Sequence, residues 1–196
     1  MDIPNIVTLS RYAGALIFVA ACAAGAGAPW STLVLILLIA VYTTDIVDGE
    51  LARRRPDRPP TVGQVLDSAT DSYTFILVFI ALFVAGAIPL ITLVVVVAGR
   101  ALFDLIRFVG FALDHVYAAP IPLSKAKGFV YTCMSCLLYA VHAVPAFAGL
   151  DRPAVTASAN LLVVASTVLA AAAFLQRHRT YVRSIVSGPA RAVVKG

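Results

Sequence analysis

The chain has 196 residues, of which 61% are hydrophobic and only 13% charged, with a formal net charge of +5. An ordinary soluble domain is about 45–50% apolar and about 25% charged, and a soluble monomer carrying this excess would expose one large apolar patch. A soluble globular enzyme and a disordered chain are therefore both excluded. The solvent is lipid, and at about 20 residues per span the length holds six spans, short loops and little else.

In chain order, residues 3–11 come first. Ile3, Ile6 and Val7 share one helical face and Asn5, Thr8 and Arg11 another, which predicts a short helix lying in the membrane interface. Asp2, Pro4, Asn5 and Arg11 interrupt the start, so no cleavable signal peptide is expected. Six apolar stretches follow: about Tyr12 to Ala26, Trp30 to Val47, Ser72 to Ala85 (or starting earlier, at Val62), Ile88 to Leu113, Gly128 to Ala148 and Val155 to Leu175. Pro29, Pro89, Pro122 and Pro153 precede or open stretches, where a missing N–H costs least.

The connections sort by charge. Gly25 to Ser31 and Ala85 to Pro89 carry none, and the fifth connection holds only Asp151 and Arg152. The other side carries Arg11, then Arg53, Arg54, Arg55 and Arg58, then Lys125 and Lys127 in a loop, then the tail with Arg177, Arg179, Arg183, Arg191 and Lys195. The positive-inside rule then predicts an all-α, six-span protein of the cell (inner) membrane with both termini cytoplasmic. The basic tail from about residue 177 is expected to rest against anionic lipid head groups.

Of the ten acidic residues, four cluster. Asp45 and Asp48 are three apart and Asp67 and Asp71 four apart, so each pair shares a helix face. Both pairs lie at the ends of hydrophobic stretches joined by one short basic loop. Two neighbouring antiparallel helices would bring all four together. Carboxylates that close raise one another's pKa unless compensated. An all-oxygen set without His or Cys suits Mg²⁺ or Mn²⁺. Two pairs suggest two ions, an arrangement fit to clamp a pyrophosphate. Gly49, Ala52 and Gly63 are small enough to let a phosphate or a planar group approach the backbone.

The pattern D-x2-D-G-x2-A-R-x9-G-x3-D-x3-D, formed by Asp45, Asp48, Gly49, Ala52, Arg53, Gly63, Asp67 and Asp71, resembles the motif of the CDP-alcohol phosphatidyltransferases. At background residue frequencies a chance match is on the order of 10⁻¹⁰ per start position. The resemblance implies one domain over residues 1–196 that transfers the phosphatidyl group of CDP-diacylglycerol to a polar alcohol and releases CMP. It implies that Asp45, Asp48 and Asp67 ligate a metal on the pyrophosphate. Asp71 would share a second metal and act as general base. Gly49, Ala52, Gly63 and Arg53 would hold the CDP-lipid. A homodimer is implied too, and no nucleic-acid partner is expected.

Residues 3–11 resemble the opening of bacterial phosphatidylglycerophosphate synthases and related cardiolipin synthases, which implies substrate head-group contacts for Asn5, Thr8 and Arg11. At 1.5 Å per residue, Arg100 lies about 18 Å into the fourth stretch, with Arg107 nearer the aspartates. Intramembrane arginines need a partner. A phosphate on the acceptor, met by Arg11, Arg100, Arg107, Lys125 and Lys127, would supply one, which favours glycerol 3-phosphate or inositol phosphate over serine or choline. Glycerol 3-phosphate is the first expectation, with inositol phosphate or phosphatidylglycerol (cardiolipin synthesis) behind it. For Arg100 the competing partner is Asp104, four residues on. Those synthases usually read Asp-Pro-x-Ala-Asp-Lys at the second acidic pair, whereas this chain reads Asp67-Ser-Ala-Thr-Asp71-Ser72, which bears on the acceptor and not on the chemistry. A small ion or metabolite transporter is the alternative from another class, but its acids would sit at broken helices near the bilayer centre. Cys133 and Cys136 read as packing residues, and His142 as a helix–helix hydrogen-bond partner.

Overall fold

The computed structural model describes residues 3–25, 30–53, 60–114, 121–180 and 182–183, with side chains over 10–25, 30–44, 69–112, 121–180 and 182–183. Six long helices carry these residues: α1 (Ile3–Ala23), α2 (Trp30–Arg53), α3 (Pro60–Val84), α4 (Leu90–Asp114), α5 (Pro122–Ala143) and α6 (Arg152–Arg177). A single 3₁₀ turn, Pro145–Phe147, follows α5.

The helix ends follow from local chemistry. After α3, Gly86 adopts a left-handed conformation (φ 77°), the Ala87 N–H donates to the Leu82 carbonyl and the Gly86 N–H to that of Phe83. This is a Schellman stop, which a side chain at residue 86 would strain. Pro122 opens α5, and α6 is capped by Asp151, whose carboxylate accepts from the Ala154 N–H at 3.3 Å.

Three helices differ from their hydropathy outlines. The expected interfacial segment is not a separate helix, because no Pro or Gly interrupts residues 5–13 and α1 runs unbroken from Ile3. α3 begins at Pro60, its first three turns polar but helical. α5 begins at Pro122, so Lys125 and Lys127 belong to its first two turns and not to a loop. A proline at the first helical position is pre-set for helix, and it overrides the charges that follow.

Among the described residues the helices close a ring: α1 packs on α2 and α3, α3 on α4, α4 on α6, α6 on α5, and α5 on α2, with α3 and α5 touching across the middle. α2 and α3 meet through side chains, Tyr42 against Phe75 with ring centroids 5.6 Å apart. The larger core runs through Phe18, Leu38, Phe79, Leu82, Val96, Leu138 and Val163. A smaller one, Phe103, Ile106, Ile121, Ala170 and Phe174, joins α4, the start of α5 and the end of α6.

Polar and charged side chains enter a mainly apolar core, and large apolar side chains cover much of the outside. Arg11, Ser72, Thr74, Arg100, Lys127, Ser135 and Thr167 are buried, while Ile17, Ile36, Ile91, Phe108, Phe129 and Leu161 are exposed. By length and composition, one helix among the described residues, Arg152–Arg177, is long and apolar enough to cross a membrane. Ser10–Ala23, Trp30–Thr44 and Ala69–Val84 are shorter apolar stretches.

Close approach of helices rests on small residues. A Cβ at Gly14 of α1 would lie 2.6 Å from Val41 Cγ2 of α2. Gly14→Ala is therefore expected to lower stability, since overpacking costs about 1–3 kcal/mol against a helix-propensity gain of about 1 kcal/mol. In a Val41→Ala background, where the offending methyl is gone, the same change should raise stability. Thermal unfolding of the four proteins in one detergent checks the reversal of sign.

Candidate active site

The site builds outward from α3, where positions 67, 71 and 75 recur every four residues and so form one stripe of the helix. Phe75 touches Tyr42 of α2. On α2, positions 45 and 48 lie three and six residues beyond Tyr42; on α3, positions 71 and 67 lie four and eight before Phe75. Both acidic pairs thus fall between this aromatic contact and the connection formed by residues 54–59. The backbone register agrees with four aspartates at one end of two helices. The side chains of Asn5, Thr8, Asp45, Asp48, Gly49, Ala52, Arg53, Gly63 and Asp67 lie outside the described residues.

Asp71 is described. Arg11 of α1 donates from Nη1 to Asp71 Oδ1 at 2.7 Å, with Arg11 2% and Asp71 31% exposed. Ion pairing places the acid beside a buried cation that would otherwise be expensive. The sequence pointed to both residues but not to their partnership.

Three cations gather on the other side of Phe75. The Arg100 guanidinium of α4 sits over the Phe75 ring, 4.4 Å from its centroid, and 5.7 Å from that of Tyr131 in α5. Lys127 Nζ lies 3.7 Å from the Phe103 centroid and 5.5 Å from that of Tyr131. Arg107 lies 4.0 Å from Asp104 and 5.9 Å from the Phe174 ring centroid. Arg100 is close enough to Asp71, Asp104 and Arg107 for their charges to act on it, and Lys127 likewise to Arg100, Arg107 and Asp104. Asp104 thus makes its 4.0 Å ion-pair contact with Arg107, three residues on, while its charge also acts on Arg100, four residues before it. Arg100 Nε has no hydrogen-bond partner among the described residues. Lys125 is exposed at the start of α5.

Magnitudes decide what such a cluster implies. Each cation–π contact contributes about 0.5–2 kcal/mol. Burying a cation costs several kcal/mol after relaxation. Arg100 and Lys127 are buried, and aromatic faces alone do not offset that cost. An anion bound among Arg100, Arg107 and Lys127 would.

Phe75, Phe103 and Tyr131 were not apparent as site residues in the sequence, because aromatics in an apolar run look like ordinary core. Spacing was the available signal, since Phe75 follows Asp71 by four and Tyr131 follows Lys127 by four. Cys133 and Cys136 are free, partly buried thiols, and His142 is exposed near the end of α5.

The donor set suits a hard divalent cation, being four carboxylates with no His or Cys beside them in the sequence. Among the described residues no three His, Cys, Asp or Glu side chains gather, Asp71 being the one member of the quartet whose side chain is described.

The family model for CDP-alcohol phosphatidyltransferases matches residues 1–175, from the start of α1 through nearly all of α6. The chain belongs to that family. No curated protein matches it at a significant level. As a CDP-alcohol phosphatidyltransferase it belongs to a family of membrane-associated transferases that move a phosphatidyl group from a CDP-alcohol to an acceptor. The carrier reading from the sequence gives way to this one.

The asymmetry of the Arg11–Asp71 pair in this phosphatidyltransferase gives a stability order. Asp71→Asn takes the carboxylate charge away from a buried guanidinium and should cost about 1.5–3 kcal/mol, the range for hydrogen bonds to charged groups. Arg11→Met removes the buried charge itself and leaves a partly solvated acid, so it should cost less. Unfolding temperatures of the two variants in detergent give the order, and the reverse order would contradict Arg11 being the desolvated partner.

Proposed function

We propose that the protein is a membrane phospholipid synthase that transfers the phosphatidyl group of CDP-diacylglycerol to glycerol 3-phosphate and releases CMP. The observation that carries this reading is the cluster of Arg100, Arg107 and Lys127 beside Asp71, two of them held on aromatic faces and not by carboxylates. A phosphate monoester on the acceptor neutralises that cluster, while serine or choline would not. Inositol phosphate offers the same monoester and is the second reading, favoured by the absence of Pro and Lys from the Asp67–Ser72 stretch.

In this reading all six helices span the inner membrane, with both termini cytoplasmic, and the apolar outer faces meet lipid. Asp45, Asp48, Asp67 and Asp71 would hold two Mg²⁺ or Mn²⁺ ions, and Asn5, Thr8, Gly49, Ala52, Arg53 and Gly63 the CDP-lipid. Bound metal would neutralise pyrophosphate charge and make CMP a better leaving group. Arg100, Arg107 and Lys127, with Lys125 at the rim, hold the acceptor's phosphate. Its free hydroxyl then faces Asp71, which takes the hydroxyl proton as the oxygen attacks the lipid-bearing phosphorus. The bond from that phosphorus to the CMP oxygen breaks, and CMP departs with the electron pair. Arg11 fixes the orientation of Asp71 through their ion pair. Holding donor, acceptor and base together supplies most of the rate gain, as in other phosphoryl transfers. The protein is expected to act as a homodimer.

Purified protein with CDP-diacylglycerol and Mg²⁺ should release CMP when given glycerol 3-phosphate, and not when given serine. EDTA should abolish release and Mg²⁺ or Mn²⁺ restore it. Asp71→Asn should abolish turnover, and Arg107→Gln should raise the acceptor KM by roughly tenfold without changing the KM for CDP-diacylglycerol. Release with inositol phosphate alone would keep the chemistry and replace the acceptor. Release with serine would overturn the phosphate reading.

A further inference from the structure

Arg100 is held by rings, and those rings are themselves held. Tyr131 is fully buried, packs edge-on against Phe75 (centroids 5.4 Å) and lies 5.2 Å from the Phe79 centroid. Its hydroxyl lies 2.6 Å from Thr167 Oγ1 of α6. The Thr167 hydroxyl donates to the Val163 carbonyl at 2.6 Å, so its proton is committed and Tyr131 must be the donor. Thr167 also packs on α4 at Gly99, where a Cβ would come within 2.5 Å of Thr167 Cγ2. Gly99 precedes Arg100 directly. One helix position therefore sets both the approach of α6 and the root of the guanidinium.

We infer that Phe75, Tyr131 and Thr167 are positioning residues for the acceptor: Thr167 locks the Tyr131 ring, and Tyr131 with Phe75 holds Arg100 in place to meet the acceptor's phosphate. The inference rests on the reading that Arg100 binds that phosphate. The physical reason is economy of donors. A carboxylate partner would engage the N–H donors of the guanidinium and cancel its charge. A ring face attracts the charge while leaving the positive site available to an anion. A buried arginine steadied this way keeps its affinity for a dianion only while the rings stay fixed, and the Tyr131–Thr167 hydrogen bond removes the ring's freedom to tilt. Phe103 holds Lys127 by the same means at 3.7 Å.

The test is a steady-state CMP-release assay with separate KM values for glycerol 3-phosphate and CDP-diacylglycerol, alongside unfolding temperatures. Thr167→Val keeps the shape and removes the hydroxyl. Tyr131→Phe removes the other end of the same bond. Each should raise the glycerol 3-phosphate KM roughly fivefold with the CDP-diacylglycerol KM unchanged, and the double variant should be no worse than either single one. Gly99→Ala should raise the same KM, and adding Thr167→Ser, which deletes the clashing methyl but keeps the hydroxyl, should restore it. A general loss of fold would lower the unfolding temperature and raise the KM for both substrates. Arg100→Gln separates the two levels. If it raises the glycerol 3-phosphate KM while Thr167→Val and Tyr131→Phe do not, the positioning role is wrong and the phosphate reading stands. If Arg100→Gln itself leaves that KM unchanged, the phosphate reading fails and the positioning role with it.

Discussion

The contact between the Arg100 guanidinium and the Phe75 ring joins the two halves of the site. Phe75 stands one turn from Asp71 on α3 and touches Tyr42 on the helix that carries the first acidic pair. Arg100 stands on α4 beside Arg107 and Lys127. A full positive charge buried in a helical bundle needs compensation, and here it comes in part from an aromatic quadrupole. What the rings leave uncompensated is the charge that the proposed acceptor phosphate would neutralise.

The same constraint shapes the rest of the bundle. In lipid there is no hydrophobic drive to bring helices together, so association relies on close packing and interior polar contacts. Gly14 against Val41 and Gly99 against Thr167 supply the close packing. Hydroxyl bonds knit the interior: the Tyr42 hydroxyl lies 2.8 Å from Ser135 Oγ, and since Ser135 donates to the Thr132 carbonyl, Tyr42 is the donor. Tyr131 to Thr167 repeats the arrangement between α5 and α6. Each bond ties a ring of the Phe75 cluster to a neighbouring helix, so the scaffold that holds the bundle together is also the one that holds the cations.

The helix count was legible because prolines and glycines punctuate the chain. Trp30 after Pro29 and Arg152 before Pro153 fall at or near the starts read from the sequence. The starts of α3 and α5 were less so, because Gly63, Gln64, Asp67, Lys125 and Lys127 lower the hydropathy of turns that are helical all the same. Spacing placed both acidic pairs on helices, and the motif identified the family. Spacing left the partner of Arg100 open, since Asp104 is within reach of both Arg100 and Arg107; in the fold its ion-pair contact is with Arg107, and its charge acts on Arg100 as well. The Arg11–Asp71 pair and the ring contacts join residues distant in sequence, and no local pattern encodes them.

The central claim is that a phosphate on the acceptor completes this cationic cluster. Calorimetric titration of the purified protein with glycerol 3-phosphate and with glycerol tests it without relying on turnover. The account predicts that glycerol 3-phosphate binds at least roughly a hundredfold more tightly than glycerol and that inorganic phosphate competes with it. Equal affinities, or no competition by phosphate, would contradict it.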